Sequence, residues 1–252
     1  MPRANRVFLP GHIWHITQRC HRRDFLLKHR RDRRHWLAWL LEARRRHGLC
    51  VLNYIVTRNH VHLLVRDRGL GEIAASMQLV AGRTAQAYNE RKARLGAFWQ
   101  DRYHATAVES DGHLQRCMRY IDLNMVRAGE VAHPGEWRES GYCELQRLPQ
   151  RYRIIDTAML CRLLGCDTPE ALRQRVAGWA ADALAHGPAG REPAWTESLA
   201  VGSETFLRQF KHGLGPRASA RELVEADGLS CLRELALEYD LGRDSAYNVR
   251  LP

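Results

Sequence analysis

Lysine is nearly missing from this chain: Lys28, Lys92 and Lys211 are the only three among 39 basic residues, and arginine supplies the rest. Long apolar runs are missing too. No stretch approaches the roughly 18 residues needed to cross a bilayer, and Met1 to Arg6 has no apolar segment resembling a signal peptide. The expectation is a cytoplasmic protein with no membrane partner. Cys-x-x-Cys spacing is also absent. The seven cysteines (Cys20, Cys50, Cys117, Cys143, Cys161, Cys166, Cys231) form an odd set, which argues against a disulfide framework or a zinc knuckle. They are expected to be reduced, buried thiols. No internal repeat is visible.

What the chain does have is an uneven charge. Its composition is that of an ordinary globular protein, 45% hydrophobic and 27% charged, with a net charge of +11. Residues 1–150 carry 26 Lys+Arg against 14 Asp+Glu, whereas residues 151–252 carry 13 against 14. A codon bias explains arginine over lysine but not this asymmetry. The clusters Arg19, Arg22 and Arg23, then Arg30, Arg31, Arg33 and Arg34, then Arg44 to Arg46, create a field that attracts polyanions, and each guanidinium can clamp a phosphate with two hydrogen bonds.

The first half alternates strand and helix signals. Strands are expected at His12–Gln18, Cys50–Thr57, His60–Arg66 and Tyr103–Glu109. Helices are expected at Arg30–His47, with Gly48 as C-cap, at Leu70–Arg91, and from Ser110 or Asp111 to Ala128, ending at Gly129. The order β-α-β-β-α-β with an appended helix predicts an α+β, ferredoxin-like split βαβ fold, an antiparallel sheet with two helices on one face. This domain spans residues 1–148. Residues 149–252 read as a helical accessory region and a candidate DNA-binding element. Helices are expected there at Ile154–Leu164, Pro169–Leu184, Glu197–Phe210 and Ala220–Val224. A Gly/Pro linker lies at His186–Pro193, and the tail from Arg243 has no clear periodicity.

The most informative residues are Asn59-His60-Val61-His62-Leu63-Leu64-Val65. On a strand, His60 and His62 project to one side with Leu64, while Val61, Leu63 and Val65 take the other. Two imidazoles on a stiff strand make half of a metal site, or a pair of structural histidines. The last helix of the domain carries an apolar stripe of Leu114, Met118, Ile121 and Met125. Its opposite stripe is Arg116, Tyr120, Asn124 and Arg127, which places a phenol, a carboxamide and two guanidiniums on one face. A tyrosine hydroxyl with a pKa near 10 attacks a phosphodiester usefully when the phosphate is polarised and cations stabilise the transition state. On its own such a stripe is more often a solvated helix face.

Together the two segments resemble a known family. Asn59-His60-Val61-His62-Leu63-Leu64 and Tyr120-Ile121-Asp122-Leu123-Asn124-Met125-Val126-Arg127-Ala128-Gly129 look like the two signatures of single-tyrosine HUH transposases, with the REP-associated tyrosine transposases as the nearest group. Gly96-Ala97-Phe98-Trp99-Gln100-Asp101-Arg102-Tyr103 is also family-like. The similarity covers roughly residues 1–148. It implies a site-specific endonuclease and strand-transferase for single-stranded DNA, acting on hairpin-forming palindromes as a monomer or homodimer. It further implies that His60, His62 and Asn124 hold Mg²⁺ or Mn²⁺, with Tyr120 as the nucleophile that forms a 5′-phosphotyrosine link. Arg58 and Met125 stand where the family usually has proline, and neither position supplies a chemical group.

Arg19, Arg22, Arg23, Arg102, Arg116 and Arg127 are the expected DNA contacts. His12 and His15 read as structural or DNA-contacting residues, and Trp99 and Tyr103 as core. Two other readings compete. A His-x-His-x-His phosphotransferase would need histidine at position 64, where Leu64 stands, and a two-histidine phosphoesterase would need a second facing motif that the chain lacks. A catalytically inactive hairpin-DNA-binding protein or repressor would have no physical need of the His60, His62, Tyr120 and Asn124 set.

Overall fold

A computed structural model describes residues 8–147, 152–187 and 190–234. Four strands form its N-terminal half: β1 (Ile13–Arg19), β2 (Cys50–Val56), β3 (His60–Arg66) and β4 (His104–Val108). They lie in the order β2-β3-β1-β4, every neighbouring pair antiparallel, which is the ferredoxin-like arrangement. β3 is hydrogen-bonded on both sides, so the His-x-His segment sits on an internal strand. Val61, Leu63 and Val65 are fully buried on one face, and β2 is buried along its whole length.

Helices α1 (Arg30–His47) and α2 (Glu72–Arg91) pack on each other, as the 3.6-residue period requires. Trp36, Leu40 and Ala43 from α1 meet the same core as Ile73, Met77 and Val80 from α2, and Arg91 pairs with Asp32 across the two helices. Gly48 closes α1 in the left-handed region at φ 70°, where a Cβ would be strained.

The helix expected to run unbroken to Ala128 is divided. α3 (Gly112–Asp122) and α4 (Asn124–Arg127) meet at Leu123, whose φ of −85° and ψ of 5° tighten the turn. The break follows a buried tether. Asn53 on β2 donates to Asp122 Oδ1 at 2.9 Å, fixing the end of α3 to the sheet. Burial pushes the Asp122 carboxyl up to about 7, partly offset by that hydrogen bond.

Beyond the N-terminal half the chain is not purely helical, contrary to expectation. α5 (Gly141–Gln146), α6 (Thr157–Leu164), α7 (Pro169–Ala185), α8 (Ala194–Glu197) and α9 (Glu204–Leu214) are joined by three strands. β5 (Ala200–Val201) pairs parallel to β4, and the hairpin of β6 (Arg221–Ala226) and β7 (Leu229–Glu234) follows it. One open sheet of seven strands therefore runs through both halves. The segment Ala220–Val224, expected as helix, is largely edge strand. Its Leu223 packs toward the core while the next residue, Val224, is exposed, as strand alternation requires, and the Asp227-Gly228 turn, at φ 58° and 65°, suits a two-residue hairpin. The expected helix from Glu197 to Phe210 is interrupted by β5 and restarts at α9 behind a Ser203 cap. The tail from Arg243 lies outside the described residues. All seven cysteines are free and buried, and among the described residues no helix is long and apolar enough to cross a membrane.

Candidate active site

Three strands present one face to α3 and α4. β3 contributes His60 and His62, β1 contributes His15, Thr17 and Arg19, and β4 contributes His104 and Thr106. The register aligns Thr17 with His62 and His15 with Leu64, so His15 is the diagonal neighbour of His62, within reach of a side chain. The two imidazoles stack with centroids 5.0 Å apart at 10°. Tyr120 of α3 stands edge-on to both rings, 5.8 Å from His62 and 6.2 Å from His15. One turn later, Asn124 Nδ2 lies 3.1 Å from His62 Nε2. The break at Leu123 thus leaves Tyr120 and Asn124 beside the same imidazole.

Hydrogen bonds assign the histidine tautomers. Asn59 Nδ2 donates to the Arg23 carbonyl at 3.0 Å, which turns Asn59 Oδ1 toward His60 Nδ1 at 2.7 Å. The Thr57 hydroxyl donates to the His60 carbonyl, so at His60 Nδ1, 2.9 Å away, it accepts. Nδ1 of His60 carries the proton, and its Nε2 offers a lone pair. His15 Nδ1 is 3.0 Å from the Trp195 carbonyl, an acceptor only, and therefore donates. Its Nε2 accepts from His62 Nδ1 at 2.9 Å. His62 Nε2 is then also an unprotonated nitrogen.

Charge supports this assignment. Burial pushes His15 down to about 3 and His60 down to about 4, the latter helped by Arg19 and Arg127. Burial, then the neighbouring His60 and His15, hold His62 well below its ordinary value. All three rings are neutral at pH 7. The Tyr120 hydroxyl is raised by burial, while Arg127 and Arg191 pull the other way. The Arg127 guanidinium lies 4.1 Å from the Tyr120 ring centroid and donates to the Tyr120 carbonyl at 2.7 Å.

These groups line an open cleft of about 880 Å³. Two neutral imidazole nitrogens and a carboxamide beside a cleft suit a divalent ion with mixed nitrogen and oxygen ligation. Among the described residues no group of three His, Cys, Asp or Glu side chains could hold a metal. His15 does not complete such a group, because both its ring nitrogens are engaged. The amide of Asn124, beside His62, is an oxygen-bearing group placed to add to the two histidines.

Residues 9–124 match the family model described as transposase IS200-like. A solved REP-associated tyrosine transposase bound to a REP hairpin is 18% identical with a TM-score of 0.48, covering 57% of this chain and 84% of that one. A candidate transposase of Deinococcus radiodurans R1 is 13% identical with a TM-score of 0.34, covering 51% and 97%. No curated protein matches the chain.

The arginines expected to contact DNA divide by place. Arg19, Arg23, Arg102 and Arg127 line the cleft with Tyr120, His60, His62 and Asn124. Arg22 does not; it lies exposed on the short turn His21–Arg23. Arg116 also lies outside the cleft. Its guanidinium pairs with Glu192 at 3.0 Å and donates to the carbonyls of Asp227 and Gly228, clasping α3 to the accessory region. His12 packs on Phe206 and Phe210, Trp99 donates to the Ala81 carbonyl, and Tyr103 stacks on Phe8.

Sequence reasoning missed the segment from Gly190 to Ser198, whose first residues, to Pro193, read as the end of a linker and whose last, from Glu197, read as the start of a helix. In the structure Arg191, Thr196 and Glu197 line the cleft, with Arg191 paired to Glu197 at 2.6 Å, and the Trp195 carbonyl meets His15. The alternation His15-x-Thr17-x-Arg19 was a legible signal for a shared strand face. Nothing in the sequence pattern pointed to Trp195.

Proposed function

We propose that the chain is a metal-dependent, site-specific single-stranded DNA endonuclease and strand-transferase acting on hairpin or palindromic DNA. The observation that carries this reading is the convergence of Tyr120 and Asn124 on His62, whose ring lies 4.9 Å from that of His60, each histidine offering an unprotonated Nε2. His60, His62 and Asn124, with its amide oxygen turned inward, would hold Mg²⁺ or Mn²⁺. The bound ion would polarise the scissile phosphate and stabilise charge on its oxygens.

The residues of the chain do the rest. Tyr120 Oη attacks phosphorus as its proton passes to solvent, and the bond to the 3′ oxygen breaks. The products are a 5′-phosphotyrosine and a free 3′-OH. Because one ester replaces another, a second 3′-OH can attack the phosphotyrosine and rejoin strands without ATP. Arg127, against the Tyr120 ring, favours the phenolate and the charged transition state. Arg19, Arg23 and Arg102 offer phosphate contacts along the cleft.

Incubation with end-labelled hairpin DNA and Mn²⁺ tests the reading. A protein–DNA adduct that survives denaturation, and is lost in Tyr120→Phe, is the expected result. Tight binding without an adduct under any divalent metal refutes it and favours a non-catalytic hairpin binder or repressor.

A further inference from the structure

We propose that His15 is a positioning residue for His62, and that the accessory region sets the tautomer of this ligand through the backbone carbonyl of Trp195. The inference rests on the reading of His62 as a metal ligand. Three contacts in series carry it: Trp195 O to His15 Nδ1 at 3.0 Å, His15 Nε2 to His62 Nδ1 at 2.9 Å, and His62 Nε2 to Asn124 Nδ2 at 3.1 Å. His15 and His62 are 0% and 3% exposed, so water cannot substitute for either partner.

The direction of the chain is fixed at its far end. A carbonyl oxygen only accepts, so His15 must donate from Nδ1, and a neutral imidazole then has an acceptor at Nε2. That acceptor demands a proton on His62 Nδ1, which leaves His62 Nε2 free to bind a cation. Reverse the tautomer and the His62 proton points at the metal position. The same logic holds His60 through Asn59 and Thr57, but those partners are local in sequence.

The Trp195 carbonyl is held in place on two sides. The Thr106 hydroxyl of β4 lies 3.1 Å from it and 2.7 Å from the Ser198 carbonyl. The Trp195 indole donates to Glu192, the carboxylate that also pairs with Arg116 of α3. The segment before β5 is therefore a buttress of the metal site, built from residues outside the matched family region.

His15→Leu removes the acceptor for His62. His15→Gln keeps the polarity, since its amide donates to Trp195 O and its oxygen accepts from His62 Nδ1. Long-range proton–nitrogen correlation spectra of the metal-free, full-length protein read the tautomers, and a Mn²⁺ titration followed by electron paramagnetic resonance reads affinity. The wild type is expected to show His15 and His62 protonated at Nδ1. In His15→Leu the His62 tautomer should become mixed and Mn²⁺ affinity should drop ~10–100-fold, as for loss of other partners behind a metal-bound histidine. His15→Gln should restore most of it.

A wild-type His62 protonated at Nε2 overturns the proposal, and needs no variant to fold. So does a folded His15→Leu with wild-type tautomer and Mn²⁺ affinity. If the tautomers are as expected and Mn²⁺ binds, but Tyr120 forms no adduct, the positioning role stands and the nuclease reading fails.

Discussion

Acid should destabilise this protein by an amount that a single substitution doubles. His15 has an ordinary pKa of 6.5 when unfolded and about 3 in the fold. Its folded value is depressed, so its contribution is complete above pH 6.5 and is lost as pH falls toward 3. Between pH 8 and pH 5 that loss is about 2 kcal/mol by the linkage relation. His60, down to about 4, and His62, held well below its ordinary value, shift in the same direction, and three rings that stay neutral at pH 5 give a combined loss of ~6 kcal/mol. Asp122 opposes them. Its carboxyl is raised to about 7, so the cost of burying its charge is present above pH 7 and is relieved by ~3 kcal/mol on acidification to pH 5. The net loss in the wild type is ~3 kcal/mol, a large fraction of an ordinary folding free energy. Asp122→Asn removes the opposing group, keeps an acceptor for Asn53, and should raise the loss to ~6 kcal/mol. Urea unfolding in EDTA at the two pH values measures both. Equal stability of the wild type at pH 8 and pH 5, or the same loss in Asp122→Asn, would refute the assignment of neutral buried histidines and a strained carboxylate.

Other outcomes follow from particular contacts. Arg116→Ala should leave the salt dependence of DNA binding unchanged while lowering the melting temperature, because Arg116 clasps Glu192 and the Asp227 and Gly228 carbonyls; a shallower salt slope by one phosphate contact would instead make it a DNA ligand. Arg19→Ala or Arg102→Ala, in the cleft, should reduce that slope by about one unit in a filter-binding titration. Asn59→Ala removes one of the two acceptors of His60 Nδ1 and should weaken Mn²⁺ binding, by up to roughly tenfold, read by the same titration as for His15. In Gly141→Ala the new Cβ would fall on Asn53 Oδ1 and the Tyr54 amide. Displacing the Asn53–Asp122 tether should cost ~1–3 kcal/mol in urea unfolding.

The N-terminal half was legible because its signals are local. Period-2 alternation located β3, the 3.6 period located α1 and α2, and the Tyr120–Asn124 spacing survives the break at Leu123 since both residues follow one turn. That break was not legible: its cause, Asn53 holding Asp122, joins residues 69 positions apart. The Arg116, Tyr120, Asn124 and Arg127 stripe was drawn correctly on a helical wheel. A wheel does not say what covers each end, however, and Arg116 meets the accessory region while the others meet the cleft. β6 escaped detection because an edge strand with one half-buried face, reading Arg-Glu-Leu-Val-Glu-Ala, carries as much charge as an exposed helix would. His15 was visible as a strand residue, but its role depends on the register between β1 and β3 and on a carbonyl 180 residues away.

That last separation bears on synthesis. During translation from the N-terminus, β1 to β4 can pair as soon as they emerge, yet β4 keeps one bare hydrogen-bonding edge until β5 arrives. Until then His15 has no acceptor from Trp195, and nothing fixes which nitrogen of His62 faces the cleft. A nascent chain can thus hold Tyr120, His60 and His62 in place and still lack the contact that orients the His62 ring.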